Sequence, residues 1–129
     1  MSKVRPVVAI VDDDPRLLES LENLLESAGY AARIFSSAGS LLVSGLSDVD
    51  LLITDIGMPG TDGFELRDLV KKTRADLPVF LITGRHEIAD QHRAKGISGF
   101  FRKPFDGQAL LAAVSDALRN QEPRDEHES

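Results

Sequence analysis

A chain of 129 residues with 42% hydrophobic content has room for one folded domain and enough apolar material for a real core. Its formal charge of −6 works against direct binding to nucleic-acid phosphate, and the absence of cysteine excludes disulfides and thiolate metal sites, which fits a reducing, cytoplasmic compartment. No stretch approaches the roughly 18 apolar residues of a membrane span, and the apolar run after Lys3 and Arg5 is stopped by three aspartates after about five residues, too short for an export signal.

The first predicted strand is Val7-Val8-Ala9-Ile10-Val11, and it runs into Asp12-Asp13-Asp14. Asp14 before Pro15 has the pattern of a helix N-cap followed by proline at the first helical position, so it is assigned to capping and not to the site. Leu17, Leu18, Leu21, Leu24, Leu25 and Ala28 then recur at helical spacing, with Gly29 as the stop. A short strand near Ala31 to Phe35 and a helix near Ala38 to Leu46 follow. The next strand, Leu51 to Thr54, ends in Asp55 and opens into the loop Met58-Pro59-Gly60-Thr61-Asp62-Gly63. Leu66, Leu69 and Val70 mark a third helix, and Pro78 to Ile82 a fourth strand that ends in Thr83. Arg85 to Lys95 is dominated by polar residues, and as a helix it would be weakly anchored and able to move. Phe100-Phe101-Arg102 leads into Lys103-Pro104, and Ala109 to Leu118 forms a closing helix.

Alternation of this kind predicts an α/β fold, a doubly wound five-stranded parallel sheet with five helices. Alternation does not give the strand order, but sheets of this class commonly run 2-1-3-4-5, the flavodoxin-like order, which is the one expected here. Residues 1–120 form the single domain, and residues 121–129 are expected to be a charged, disordered tail.

Ligands of open α/β sheets gather at the carboxyl ends of the strands. Strands one and three are neighbours in the predicted order, about 4.8 Å apart, which brings Asp12 and Asp13 beside Asp55. A cluster of hard carboxylate oxygens without thiols or histidine favours Mg²⁺ over softer metals. Lys103 is expected as a buried amine opposite the acids, and Thr83 adds a hydroxyl. His86, His92 and His127 show no metal-ligand spacing and receive no chemistry.

The set Val11-Asp12-Asp13, Asp55-Ile56-Gly57-Met58-Pro59-Gly60-Thr61-Asp62-Gly63, Leu81-Ile82-Thr83-Gly84 and Lys103-Pro104-Phe105 resembles the receiver domain of two-component response regulators, especially the FixJ-like branch, over about Val7 to Leu118. The resemblance implies that Asp55 is a phosphoacceptor for a sensor histidine kinase or phosphotransfer protein, in a signalling domain and not an enzyme with a diffusible substrate. It implies Mg²⁺ bound directly by Asp13, through water by Asp12, by Asp55 and by the Gly57 carbonyl. It further implies charge neutralisation by Lys103 and a switch in which Thr83 moves toward the phosphoryl group while the Phe100 ring turns inward. The changing face, Arg85 to Leu118, would then dock a partner or a second receiver.

Two positions depart from the FixJ-like pattern. Gly57 has no side chain where arginine is common, and Arg85 stands two residues after Thr83, so the lifetime of the phosphoryl group does not carry over. An output domain is usual in that branch; this chain ends before one could begin, as expected of a single-domain regulator or an excised receiver. Two alternatives compete. Asp12 and Asp14 are similar to the paired aspartates of haloacid-dehalogenase-like phosphatases, with Asp12 as nucleophile, but Lys103-Pro104 replaces that family's late acidic pair. A pseudo-receiver, binding partners without phosphorylation, would not need the full acidic set.

Overall fold

The computed structural model describes residues 5–58, 60–84, 99–103 and 105–121. Its strands are β1 (Val7–Val11), β2 (Ala31–Phe35), β3 (Leu51–Asp55), β4 (Val79–Thr83) and β5 (Phe100–Arg102), and its helices α1 (Pro15–Ser27), α2 (Ala38–Ser44), α3 (Gly63–Thr73) and α4 (Gly107–Gln121). All strand pairs are parallel, in the order β2-β1-β3-β4-β5. The expected sheet and strand order are therefore found. Four helices are present among the described residues, and the expected Arg85 to Lys95 helix lies outside them.

The burial of each strand follows its place in the sheet. β3 is buried at all five positions and β1 at four, because both faces of a central parallel strand are covered by helices. β2, at one edge, has no buried position. Successive side chains point to opposite faces, so Val8 and Ile10 join Leu18, Leu21, Leu25, Leu110 and Val114 on the α1 and α4 side. Ala9 and Val11 join Leu41, Leu66 and Val70 on the α2 and α3 side. Each fully buried leucine contributes about 1.5–3 kcal/mol of transfer free energy, and Leu21, Leu25, Leu41, Leu66 and Leu110 all lie in this class.

Local signals set the helix ends. Asp14 accepts a hydrogen bond from the Arg16 backbone N–H at 3.0 Å and Pro15 occupies the first helical position, as expected. α2 stops at Ser44, two residues before the expected Leu46, because Gly45 takes a left-handed φ of 95° that a helix cannot continue through. α4 begins at Gly107, before the expected Ala109: the Asp106 carboxylate accepts from Gln108 N–H at 2.9 Å, and its carbonyl accepts from Leu110 N–H. That helix also runs three residues beyond the expected Leu118, to Gln121. No described helix is long and apolar enough to cross a membrane.

Candidate functional site

Val11 of β1 pairs with Thr54 of β3, so the next residue on each strand, Asp12 and Asp55, emerges at the same end of the sheet. The backbone of Asp12 is held by its N–H donating to Phe35 O at 3.1 Å, and its carboxylate accepts from Asp14 N–H at 2.9 Å. Asp55 is held by the strand itself, with the following Ile56 N–H donating to Ile82 O at 2.9 Å. Asp12 and Asp55 are buried, Asp13 is exposed, and one carboxylate oxygen from each lies within 4.8 Å of the others. The three expected acids do converge.

Lys103 reaches this cluster from beyond β5. Its backbone N–H donates to Thr83 O at 2.8 Å, which fixes the start of the side chain. Its Nζ stands 3.0 Å from Asp55 Oδ1 and 3.3 Å from Asp12 Oδ2. The lysine side chain is 30% exposed, half-buried where a buried amine is expected from sequence. Burial alone would lower the lysine pKa, but the Asp55 hydrogen bond and the attraction of Asp12 and Asp55 outweigh it and raise the value above 10.5. Asp12 is also raised, above 3.8: burial is the main cause and Asp55 adds repulsion, against lowering by the Asp14 N–H and by Lys103.

Beside the acids opens a cleft of about 490 Å³. Four residues marked from sequence line it: Asp55, Gly57, Thr83 and Lys103. Thr83 is 3% exposed at the end of β4, where it faces the cleft. A Cβ added at Gly57 would stand 4.0 Å from Asp55 Oδ2, so the missing side chain leaves that oxygen open while Lys103 holds the other. Ile56, Asp62, Phe64 and Gly84 also line the cleft and are absent from the expected site. For Asp62 a signal existed: Asp62 and Glu65 form a reciprocal capping box at the start of α3, a spacing visible in the sequence. Phe64 gave none, since its position depends on how α3 lies on the sheet.

Phe100 is buried, 7% exposed, in a cluster with Ile56 and Leu81, and its ring centroid is 6.0 Å from that of Phe64. Phe101 packs on the other face, 5.5 Å from the Phe80 ring, as strand alternation requires. The Phe100 ring is thus already inside.

The donor set suits a hard divalent cation: three carboxylates on one side, all oxygen, with an amine opposite that would meet the anionic partner of such an ion. With a cation held by the acids, a phosphate in the cleft would meet positive charge from that ion and from the half-buried lysine.

Residues 8–115 match the family model described as the response regulator receiver domain. Transcriptional regulatory protein FixJ of Bradyrhizobium diazoefficiens is 33% identical over 120 residues, covering 90% of this chain and 58% of that protein. FixJ of Azorhizobium caulinodans is 37% identical over 114 residues, covering 86% and 54%. The chain therefore spans little more than half the length of these relatives. Among solved structures, a response regulator receiver domain protein from Clostridium thermocellum superposes with a TM-score of 0.80 at 25% identity, covering 90% of this chain and 96% of that one. These likenesses favour the receiver reading over the phosphatase one.

Proposed function

We infer, from the premise that this chain belongs to the response regulator receiver domain family of two-component systems, that it is a cytoplasmic phosphoacceptor switch with Asp55 as the acceptor. The observation that carries this reading is the Asp55 carboxylate, with one oxygen held by Lys103 at 3.0 Å and the other facing the cleft beside Gly57. Asp12, Asp13, Asp55 and the Gly57 carbonyl would hold Mg²⁺, which when bound supplies positive charge to an incoming phosphoryl group.

The chain's own residues do the rest. The open oxygen of Asp55 forms a P–O bond as the P–N bond to a kinase or phosphotransfer histidine breaks, and the departing imidazole nitrogen takes up a proton. Lys103 neutralises charge on the phosphoryl oxygens without transferring a proton, in keeping with its raised pKa. Thr83 donates its hydroxyl to the phosphoryl group from the β4 end, and that contact favours the arrangement in which the Phe100 ring, already buried here, stays inward. Contacts made only by the phosphorylated form shift the balance between two arrangements, and the altered face then docks a partner or a second receiver. This is stoichiometric signalling, not turnover of a diffusible substrate.

Incubating the chain with Mg²⁺ and a small phosphodonor, then weighing it intact, tests the reading. One acid-labile phosphoryl group is expected, blocked by chelator and absent from Asp55→Asn. Labelling of Asp55→Asn at the wild-type rate, or an adduct mapped to Asp12, would overturn it.

A further inference from the structure

Phe64 is the second residue of α3, and it faces two ways. It lines the cleft beside Asp55, and its ring lies 6.0 Å from that of Phe100, tilted at 39°, within the range of favourable aromatic pairs. Among the described residues, Phe100 has Ile56 and Leu81 as its buried neighbours, and the Phe64 ring meets it from α3. One turn further along α3, the Arg67 guanidinium lies 5.6 Å from the Phe64 ring centroid. A residue serving the core alone would resemble Leu66 or Val70, both fully buried; Phe64 is only partly buried and stands at the cleft wall.

We propose that Phe64 is a positioning residue for Phe100: its ring, pinned at the rim of the cleft by Arg67, holds the Phe100 ring in its buried seat. The position of the switch ring is then governed by α3 as well as by Thr83. Removing the Phe64 ring lowers the fraction of molecules with Phe100 inside. Apparent affinity for a phosphoryl group falls with the fraction of molecules competent to receive it. This inference rests on the switch reading above, and deepens it by bringing α3 into the coupling.

The test uses the full chain labelled with fluorophenylalanine, its Phe100 fluorine resonance assigned through Phe100→Leu, and titrations with Mg²⁺ alone and with Mg²⁺ plus beryllofluoride. Phe64→Leu keeps an apolar side chain without the ring. It is expected to shift the Phe100 resonance before any ligand is added and to weaken beryllofluoride binding about two- to tenfold, the range of one aromatic pair. Mg²⁺ affinity should hold, because Phe64 offers the cation no oxygen; a general loss of structure would lower both affinities. Phe64→Tyr should restore the resonance and the beryllofluoride affinity. A Phe100 resonance that does not respond to bound beryllofluoride in the wild type would overturn the switch reading and this inference with it. A responsive Phe100 that is unchanged by Phe64→Leu, with beryllofluoride affinity also unchanged, would overturn this inference alone.

Discussion

Asp12 carries an ionisable carboxyl at 1% exposure, and its surroundings resist its charge. Burial, then the neighbouring Asp55, raise its pKa above the ordinary 3.8 by more than the Asp14 N–H and Lys103 lower it. A folded pKa above the unfolded one means that the native state holds this proton more tightly. Its contribution to stability is present below about the ordinary value and is lost as pH rises through the raised value. Asp12→Asn should therefore raise the thermal midpoint of the metal-free protein by a few degrees at pH 7, and the gain should shrink as pH falls through the raised value and vanish only below the ordinary 3.8. The same variant should bind Mg²⁺ more weakly. Thermal melts across pH, with and without the metal, check both outcomes. For Lys103 the sign is also that of a raised group, with its contribution lost only above its ordinary 10.5. Its removal should thus destabilise the metal-free protein at every pH from neutrality up to that point, because two carboxylates are left facing each other.

α3 is seated by a residue with no side chain. A Cβ on Gly63 would lie 2.6 Å from the Asp55 carbonyl oxygen and 2.8 Å from Ile56 Cα, both backbone atoms that cannot turn aside. Gly63→Ala should cost about 1–3 kcal/mol, as overpacking does, and should weaken Mg²⁺ binding because the displaced segment bears Asp55 and leads into Gly57. Denaturant melts and metal titration together measure this. The other end of α3 is tied by Arg74, whose Nη1 donates to Leu46 O at 2.6 Å and Val49 O at 3.1 Å while its other nitrogens reach Asp76. Arg74→Ala should cost about 1–3 kcal/mol by taking the guanidinium donor from both carbonyls, of which Leu46 O keeps the Val49 N–H, and lysine should not restore it, because a point charge cannot span both directions. Neither tie could be found from the chain alone. The strand ends could be: apolar runs stopping at Asp12, Asp55, Thr83 and Lys103 are local patterns, and the parallel order then brings them together. Gly63 and Phe64 matter through the distance between α3 and β3, which no spacing in the sequence records. The ends of α2 and α4 departed from hydrophobic periodicity for a related reason. A left-handed Gly45 and a capping Asp106 override where the apolar residues stop and start.

Across the whole molecule, Mg²⁺ would stabilise the fold if the folded acids bind it, as proposed, and the unfolded chain does not. At a concentration about 100 times its dissociation constant, the gain is about 2.7 kcal/mol. A rise in the thermal midpoint with Mg²⁺, reversed by chelator, is the expected result; an unchanged midpoint at saturating metal would be incompatible with the assigned ligands. The charge of −6 works in the other direction for polyanions, so the chain should not retard duplex DNA in a gel at physiological salt. The position of β1 in the sheet also has a consequence for synthesis. β1 lies between β2 and β3, with Val8 paired to Ala32 on one side and to Leu51 on the other. On a ribosome adding about 5–20 residues per second, β2 is available before β3, and one edge of the apolar β1 waits on the order of a second for its partner. An unpaired apolar edge invites pairing with another nascent chain. Asp12 and Asp13 of the acidic site and the capping Asp14, at the end of that strand, place three negative charges where such a neighbour would have to align, so the same residues would disfavour aggregation during folding.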